Sequence, residues 1–122
     1  MSTPKKTSRA EADRRAVQPL VWLTKLRDHR LPNKSPTLLG TAAVLVTYAD
    51  SSNPGRPIWA GNKTIDDRMG LSAGGRGKSA EASIRKLRDW GFLVAVNPRD
   101  YPEVPELQAL DRRKLVYVLT TP

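Results

Sequence analysis

Ser79-Ala80-Glu81-Ala82-Ser83-Ile84-Arg85-Lys86-Leu87-Arg88-Asp89-Trp90-Gly91 runs directly into Phe92-Leu93-Val94-Ala95-Val96, and this passage decides the fold. Ala80, Ile84 and Leu87 recur at spacings of three and four, so they share one face of a helix, and Ser79 stands where a side-chain oxygen can cap its first turn. The other faces carry Lys78, Ala82, Arg85, Lys86 and Asp89. Gly91 after Trp90 suits the left-handed conformation that closes a helix. The β-branched and aromatic run that follows predicts a strand over 92–96, and Leu115-Val116-Tyr117-Val118-Leu119 reads as its antiparallel partner. The 18 residues between the strands, 97–114, include Pro98, Pro102 and Pro105, and a connection of that length is more often functional than decorative.

Upstream, Ser35-Pro36 is a strong helix start, and Leu38, Leu39, Ala42, Leu45, Val46 and Ala49 predict a central core helix over about 36–50. Residues 51–57 are a loop by composition, and Ile58-Trp59 suffices only for a bridge-like strand. Gly61 or Asn62 then caps a short helix ending at Gly70, with Ile65 and Met69 toward the core and Asp66, Asp67 and Arg68 outward. Ala73-Gly74-Gly75-Arg76-Gly77 is a turn. Toward the N-terminus, Leu31-Pro32-Asn33-Lys34 breaks the chain after an amphipathic stretch that opens with Pro19 and reaches His29. Ser8 and Glu11 have capping-box spacing for a short polar helix toward Val17, and Met1–Thr7 is expected to lack order without a partner. The chain is thus expected to be mainly α with a small β-hairpin (α+β). Residues 1–18 form a basic, partly disordered arm, 19–34 an N-terminal helix and 35–122 the main domain. Leu20, Trp22, Leu23 and Leu26 offer more apolar surface than so small a core needs, which makes that helix the candidate homodimer element.

Composition narrows the function. The 122 residues hold 21 Lys plus Arg against 12 Asp plus Glu, a net charge of +9, with no Cys and one His. Absent Cys removes disulfide frameworks, thiol nucleophiles and Cys-based zinc sites, and without an apolar leader the chain reads as cytoplasmic. Its longest apolar run, 38–49, is about half a bilayer span. No membrane is expected as a partner. The charge is uneven: residues 1–35 have nine basic and three acidic side chains, net +6, and 72–91 have five and two, net +3, while the rest is balanced. Two basic blocks point to two contacts with a polyanion.

The order is helix, helix, turn, helix, strand, long loop, strand, with a two-residue strand before the second helix. Leu38–Asp50, Ile58-Trp59, Ile65-Asp66-Asp67-Arg68-Met69-Gly70-Leu71-Ser72, Ser79 with Ile84-Arg85-Lys86-Leu87, and Trp90-Gly91-Phe92-Leu93 carry a resemblance over roughly 36–120. They resemble the winged helix-turn-helix superfamily, and look like the DNA-binding domains of phage and plasmid replication initiators and small phage or actinobacterial regulators. The resemblance implies a three-helix core plus a two-stranded wing, with the extra N-terminal helix outside it, and a wing loop that reaches an adjacent groove or the backbone. The family usually caps its second helix with Ser or Thr, where this chain has Gly61 or Asn62. Its turn before the third helix is usually shorter, so Gly74–Gly77 looks like an insertion.

Chemistry agrees with that expectation. One α-helix fits the major groove of B-DNA; Arg85 and Lys86 can donate to guanine, Ser79 to a base edge or phosphate, and Ala82 can touch a thymine methyl. Lys78 shares that face, and Arg76 and the Gly-rich turn would meet the backbone, where amide N–H groups also serve. The wing candidates are Arg99, Arg112, Arg113 and Lys114, with Glu103 and Glu106 keeping the loop tip out of a groove, and the arm candidates are Lys5, Lys6, Arg9, Arg14 and Arg15. Catalytic motifs fail: Gly77-Lys78-Ser79 lacks the P-loop glycine at Ser72, and Ser83 to Lys86 and Ser2 to Lys5 both match the cheap S-x-x-K spacing. His29 has no ligand partners, so neither a metal nor a cofactor is expected, and the chain is not expected to be an enzyme. The leading expectation is a sequence-specific double-stranded DNA-binding protein at the nucleoid, a phage- or plasmid-like transcriptional regulator. The alternatives are an origin-binding replication or partition protein, and a protein-interaction module whose basic arm binds RNA.

Overall fold

The computed structural model describes residues 6–30, 35–59, 61–70, 78–110 and 115–122. It is a mixed α/β arrangement of α1 (Arg9–Arg15), α2 (Pro19–Asp28), α3 (Pro36–Tyr48), α4 (Asn62–Arg68), α5 (Lys78–Asp89), β1 (Leu93–Val96), a 3₁₀ turn (Pro98–Asp100), α6 (Pro105–Gln108) and β2 (Val116–Leu119). The strands pair antiparallel, from Leu93 opposite Leu119 to Val96 opposite Val116. Among the described residues no helix is long and apolar enough to cross a membrane.

Local chemistry accounts for the helix ends. Ser35 caps α3 by accepting from Leu38 N at 3.1 Å, and Ser8 caps α1 by accepting from Glu11 N. α5 ends in a Schellman motif at Gly91, whose φ is +83°. Phe92 N donates to Leu87 O and Gly91 N to Arg88 O, while the Leu87 and Phe92 side chains are both fully buried.

Every residue of both strands is buried, so both faces of the ribbon are covered. Leu93, Ala95, Tyr117 and Leu119 face a core of Trp22, Leu26, Leu38, Ala42, Leu45, Ile65, Ile84 and Leu87. Val94, Val96, Val116 and Val118 face a second core built with Ala12, Tyr101, Val104 and Leu107. A strand apolar at every position exposes two sticky faces, and here α1 and the 97–110 segment close the second one.

Three expectations change as a result. The 97–114 connection is not a free loop over its described part: the 3₁₀ turn and α6 fold back because Tyr101, Val104 and Leu107 bury against the ribbon. Thr7 to Val17, read as part of the arm, binds the ribbon instead, Thr7 pairing with Val96, Ala16 with Thr120, and Ala12 lying fully buried between them. On α2, Trp22 and Leu26, expected on a dimer face, are fully buried, and Trp22 Nε1 donates to Phe92 O at 2.7 Å. The outward side of α2 shows Leu20 and Val21 instead, while Leu23 packs half-buried against the core. The edges of the ribbon are also occupied. Ile58 exchanges two backbone hydrogen bonds with Tyr117 at 2.8 and 2.9 Å, and Val17 N donates to Leu119 O, so β2 presents no long open edge.

Candidate nucleic-acid interface

α5 divides into an inner and an outer side. Ala80, Ser83, Ile84 and Leu87 are buried, whereas Lys78, Ala82 and Arg85 are exposed, with Ser79 and Lys86 half-buried beside them. At 100° per residue these five span an arc of about 120°. The structure therefore gathers the described candidates of this helix on one surface. Arg85 meets Glu81 at 3.5 Å, an exposed pair too weak to hold the guanidinium against a better acceptor.

What aims the helix is a carboxylate outside it. Asp66 of α4 is only 2% exposed, and its Oδ1 accepts from Ala80 N at 2.9 Å, in the first turn of α5. Asp66 was expected to point outward, but the first turn of a helix leaves backbone N–H groups without partners, and a buried anion at that end satisfies one and complements the dipole. Ser79, the expected cap, lies inside the first turn, because α5 begins at Lys78. Spacing within α4 shows Asp66 and Asp67 on different sides, but only the packing of α4 on α5 tells which is inside.

On the flank of α5, Arg88 is half-buried, and its enclosed Nε and Nη1 meet no acceptor among the described residues. Its charge bears on Tyr117, whose phenol burial pushes above its ordinary value against that opposing influence.

The arm candidates separate. Arg9 donates to Asp100 O at 2.7 Å and to Glu103, and its guanidinium lies 4.5 Å from the centre of the Tyr101 ring. That hydrogen bond lowers the Glu103 carboxyl below its ordinary value, while burial pushes the Tyr101 phenol up to about 12. Arg15 donates to Gly91 O at 3.2 Å, and Arg14 pairs with Glu11 on the surface. Arg9 and Arg15 are thus ties within the fold. Arg9 has a matching acid in Glu103, and Arg56 has one in Glu106, so the acids expected to keep the loop tip out of a groove fasten the 97–110 segment down. Lys6 and Arg99 are exposed and line one open cleft of about 400 Å³. Lys5, Arg76, Arg112, Arg113 and Lys114 lie outside the described residues.

No protein-family model, curated protein or solved structure matches the chain. Among the described residues no group of three His, Asp or Glu side chains could hold a metal ion.

Proposed function

We propose that the chain is a winged helix-turn-helix protein that binds double-stranded DNA with sequence preference through α5 and acts as a phage- or plasmid-like transcriptional regulator. The observation that carries this reading is the outer side of α5, where Lys78, Ala82 and Arg85 stand exposed and Ser79 and Lys86 flank them, on a helix capped by Asp66 of the preceding helix. A helix with one buried face and one cationic face is the shape a major groove admits. The order of elements supports the same reading, because Ile58 between α3 and α4 pairs with Tyr117 of β2 and ties that helix pair to the ribbon. Charge works in two ways here: the total of +9 draws the chain to any duplex, and the few side chains on α5 discriminate among sequences.

The test is selection of bound fragments from random duplex DNA, followed by titration at several salt concentrations. Enrichment of one motif and a steep loss of affinity with salt are expected. Arg85→Ala is expected to relax base preference at one position and to cost about 1–3 kcal/mol. A flat salt response, or equal preference for single-stranded RNA, rejects the reading. A palindrome with half-sites one helical turn apart marks a dimeric regulator, whereas iterated copies favour an origin-binding replication or partition protein.

A further inference from the structure

The cations around α1 are of two kinds. Arg9 is held by Glu103 and Asp13, Arg14 by Glu11, Arg56 by Glu106 and Arg15 by the Gly91 carbonyl. Among the described residues no carboxylate lies within salt-bridge distance of Lys6 or Arg99, yet both line the same cleft of about 400 Å³, beside Asn97 and Gln108. No carboxylate is among the described residues of its wall.

Backbone pairing explains why the two cations meet. Thr7 N donates to Ala95 O at 2.6 Å, and Thr7 pairs in parallel with Val96, where β1 ends and the chain turns into Asn97 and Arg99. α1 then crosses the ribbon to Ala16, which pairs with Thr120 at the opposite end. Lys6 is therefore delivered to the end of the ribbon at which Val96 faces Val116, the base of the 97–114 connection. Asn97 Oδ1 accepts from Arg99 N at 3.0 Å, which leaves the amide N–H groups of Asn97 for another acceptor. Gln108 Nε2 donates to Pro98 O and Tyr101 O and fixes the opposite wall. Two cations and an amide donor around a cleft whose described wall holds no carboxylate make a seat for an anion. Both cations are exposed, so the seat suits an anion presented on a surface rather than one enclosed.

We propose that Lys6 and Arg99 together hold one backbone phosphate of the duplex flanking the site read by α5, so that the N-terminal arm and the base of the wing make a single contact. This rests on the reading of α5 as a DNA-binding helix. The experiment titrates the full chain and its Lys6→Ala, Arg99→Ala and doubly substituted variants against fluorescein-labelled duplexes carrying the selected fragment. The flanks are trimmed one base pair at a time, and each titration is repeated over a range of salt. Each single variant is expected to lower the slope of log affinity against log salt by about one, and the double variant by about one as well, because a single phosphate is lost. One and the same trimming step is expected to bring the wild-type chain down to both variants. Lys6→Arg and Arg99→Lys, which keep the charge, are expected to keep the slope. A loss of about two in the double variant, different trimming steps for the two residues, loss of slope in the charge-keeping variants, or no change in any variant overturns the shared phosphate and leaves DNA binding by α5 standing. A wild-type chain whose duplex binding ignores salt overturns that reading, and the shared phosphate with it.

Discussion

Asp66 Oδ1 accepts a hydrogen bond from Ala80 N at 2.9 Å, which makes a side chain of α4 the cap of α5. A charged acceptor for a helix N-terminus contributes about 1–2 kcal/mol. Asp66→Ala is expected to lower unfolding stability by about that amount, and Asp67→Ala, whose side chain is exposed, by less than about 0.5 kcal/mol. Urea unfolding of the two variants makes the comparison. Equal effects would show that the cap is not what joins the helices.

Glu81 meets Arg85 at 3.5 Å, and on the proposed reading of α5 it competes with a nucleic acid for that guanidinium. Glu81→Gln removes both the competing acceptor and a negative charge on that surface. Duplex affinity at low salt is expected to rise about 1.4- to five-fold, since an exposed pair is worth about 0.2–1 kcal/mol. Fluorescence anisotropy measures it, and an unchanged or weakened affinity counts against Arg85 as a DNA contact.

Trp22 is fully buried, and its indole N–H donates to Phe92 O. Trp22→Ala is expected to cost about 3–5 kcal/mol through the cavity left in the core. Trp22→Phe is expected to cost less, through the lost indole hydrogen bond and the smaller ring, because Phe92 O keeps its bond from Thr120 N. The unfolding midpoint of Trp22→Phe, followed over a range of protein concentrations, separates a core role from a dimer contact. A core role predicts a drop relative to the wild-type chain that is the same at every concentration.

Gly91 closes α5 with φ of +83°, and a Cβ there would stand 3.2 Å from the backbone of Pro122. Gly91→Ala therefore adds both strain and a close contact with main chain, for an expected loss of about 1–3 kcal/mol. Thermal unfolding reads it directly.

Stability should also fall in acid through the tie between α1 and the 97–110 segment. Arg9 lowers the folded Glu103 carboxyl below its ordinary value of 4.5, so the pair's stabilisation is present above that value and is lost as pH drops through the lower, folded one. Glu103→Gln is expected to flatten the pH dependence of the unfolding midpoint in that window, and by a small margin, because the pair is exposed to solvent.

Much of this architecture is legible in the residues. Ser35-Pro36 announces α3, the three- and four-residue spacing of Ala80, Ile84 and Leu87 names the inner side of α5, and Gly91 marks its end. The double-sided burial of the ribbon was also written there, since Leu93-Val94-Ala95-Val96 and Val116-Tyr117-Val118-Leu119 have no polar face to give to water. That signal calls for a second covering layer, and Tyr101, Val104 and Leu107 in the 97–114 connection are the apolar residues able to supply it. The partners of Arg9 and Arg15 were not legible, because charge counts treat every cation as solvated.

By itself, then, the sequence determined α1 to α5, the paired strands and the concentration of positive charge, because each depends on periodicity, capping or composition within a short window. Tertiary structure alone decided that Asp66 caps α5, that Trp22 belongs to the core, that Arg9 is engaged by Glu103, and that Lys6 and Arg99 line one cleft. Lys6 and Arg99 are brought to one end of the ribbon by the pairing of Thr7 with Val96. Such neighbours are many residues apart along the chain, and whether a charged or aromatic side chain faces solvent or a partner depends on packing that no local pattern encodes.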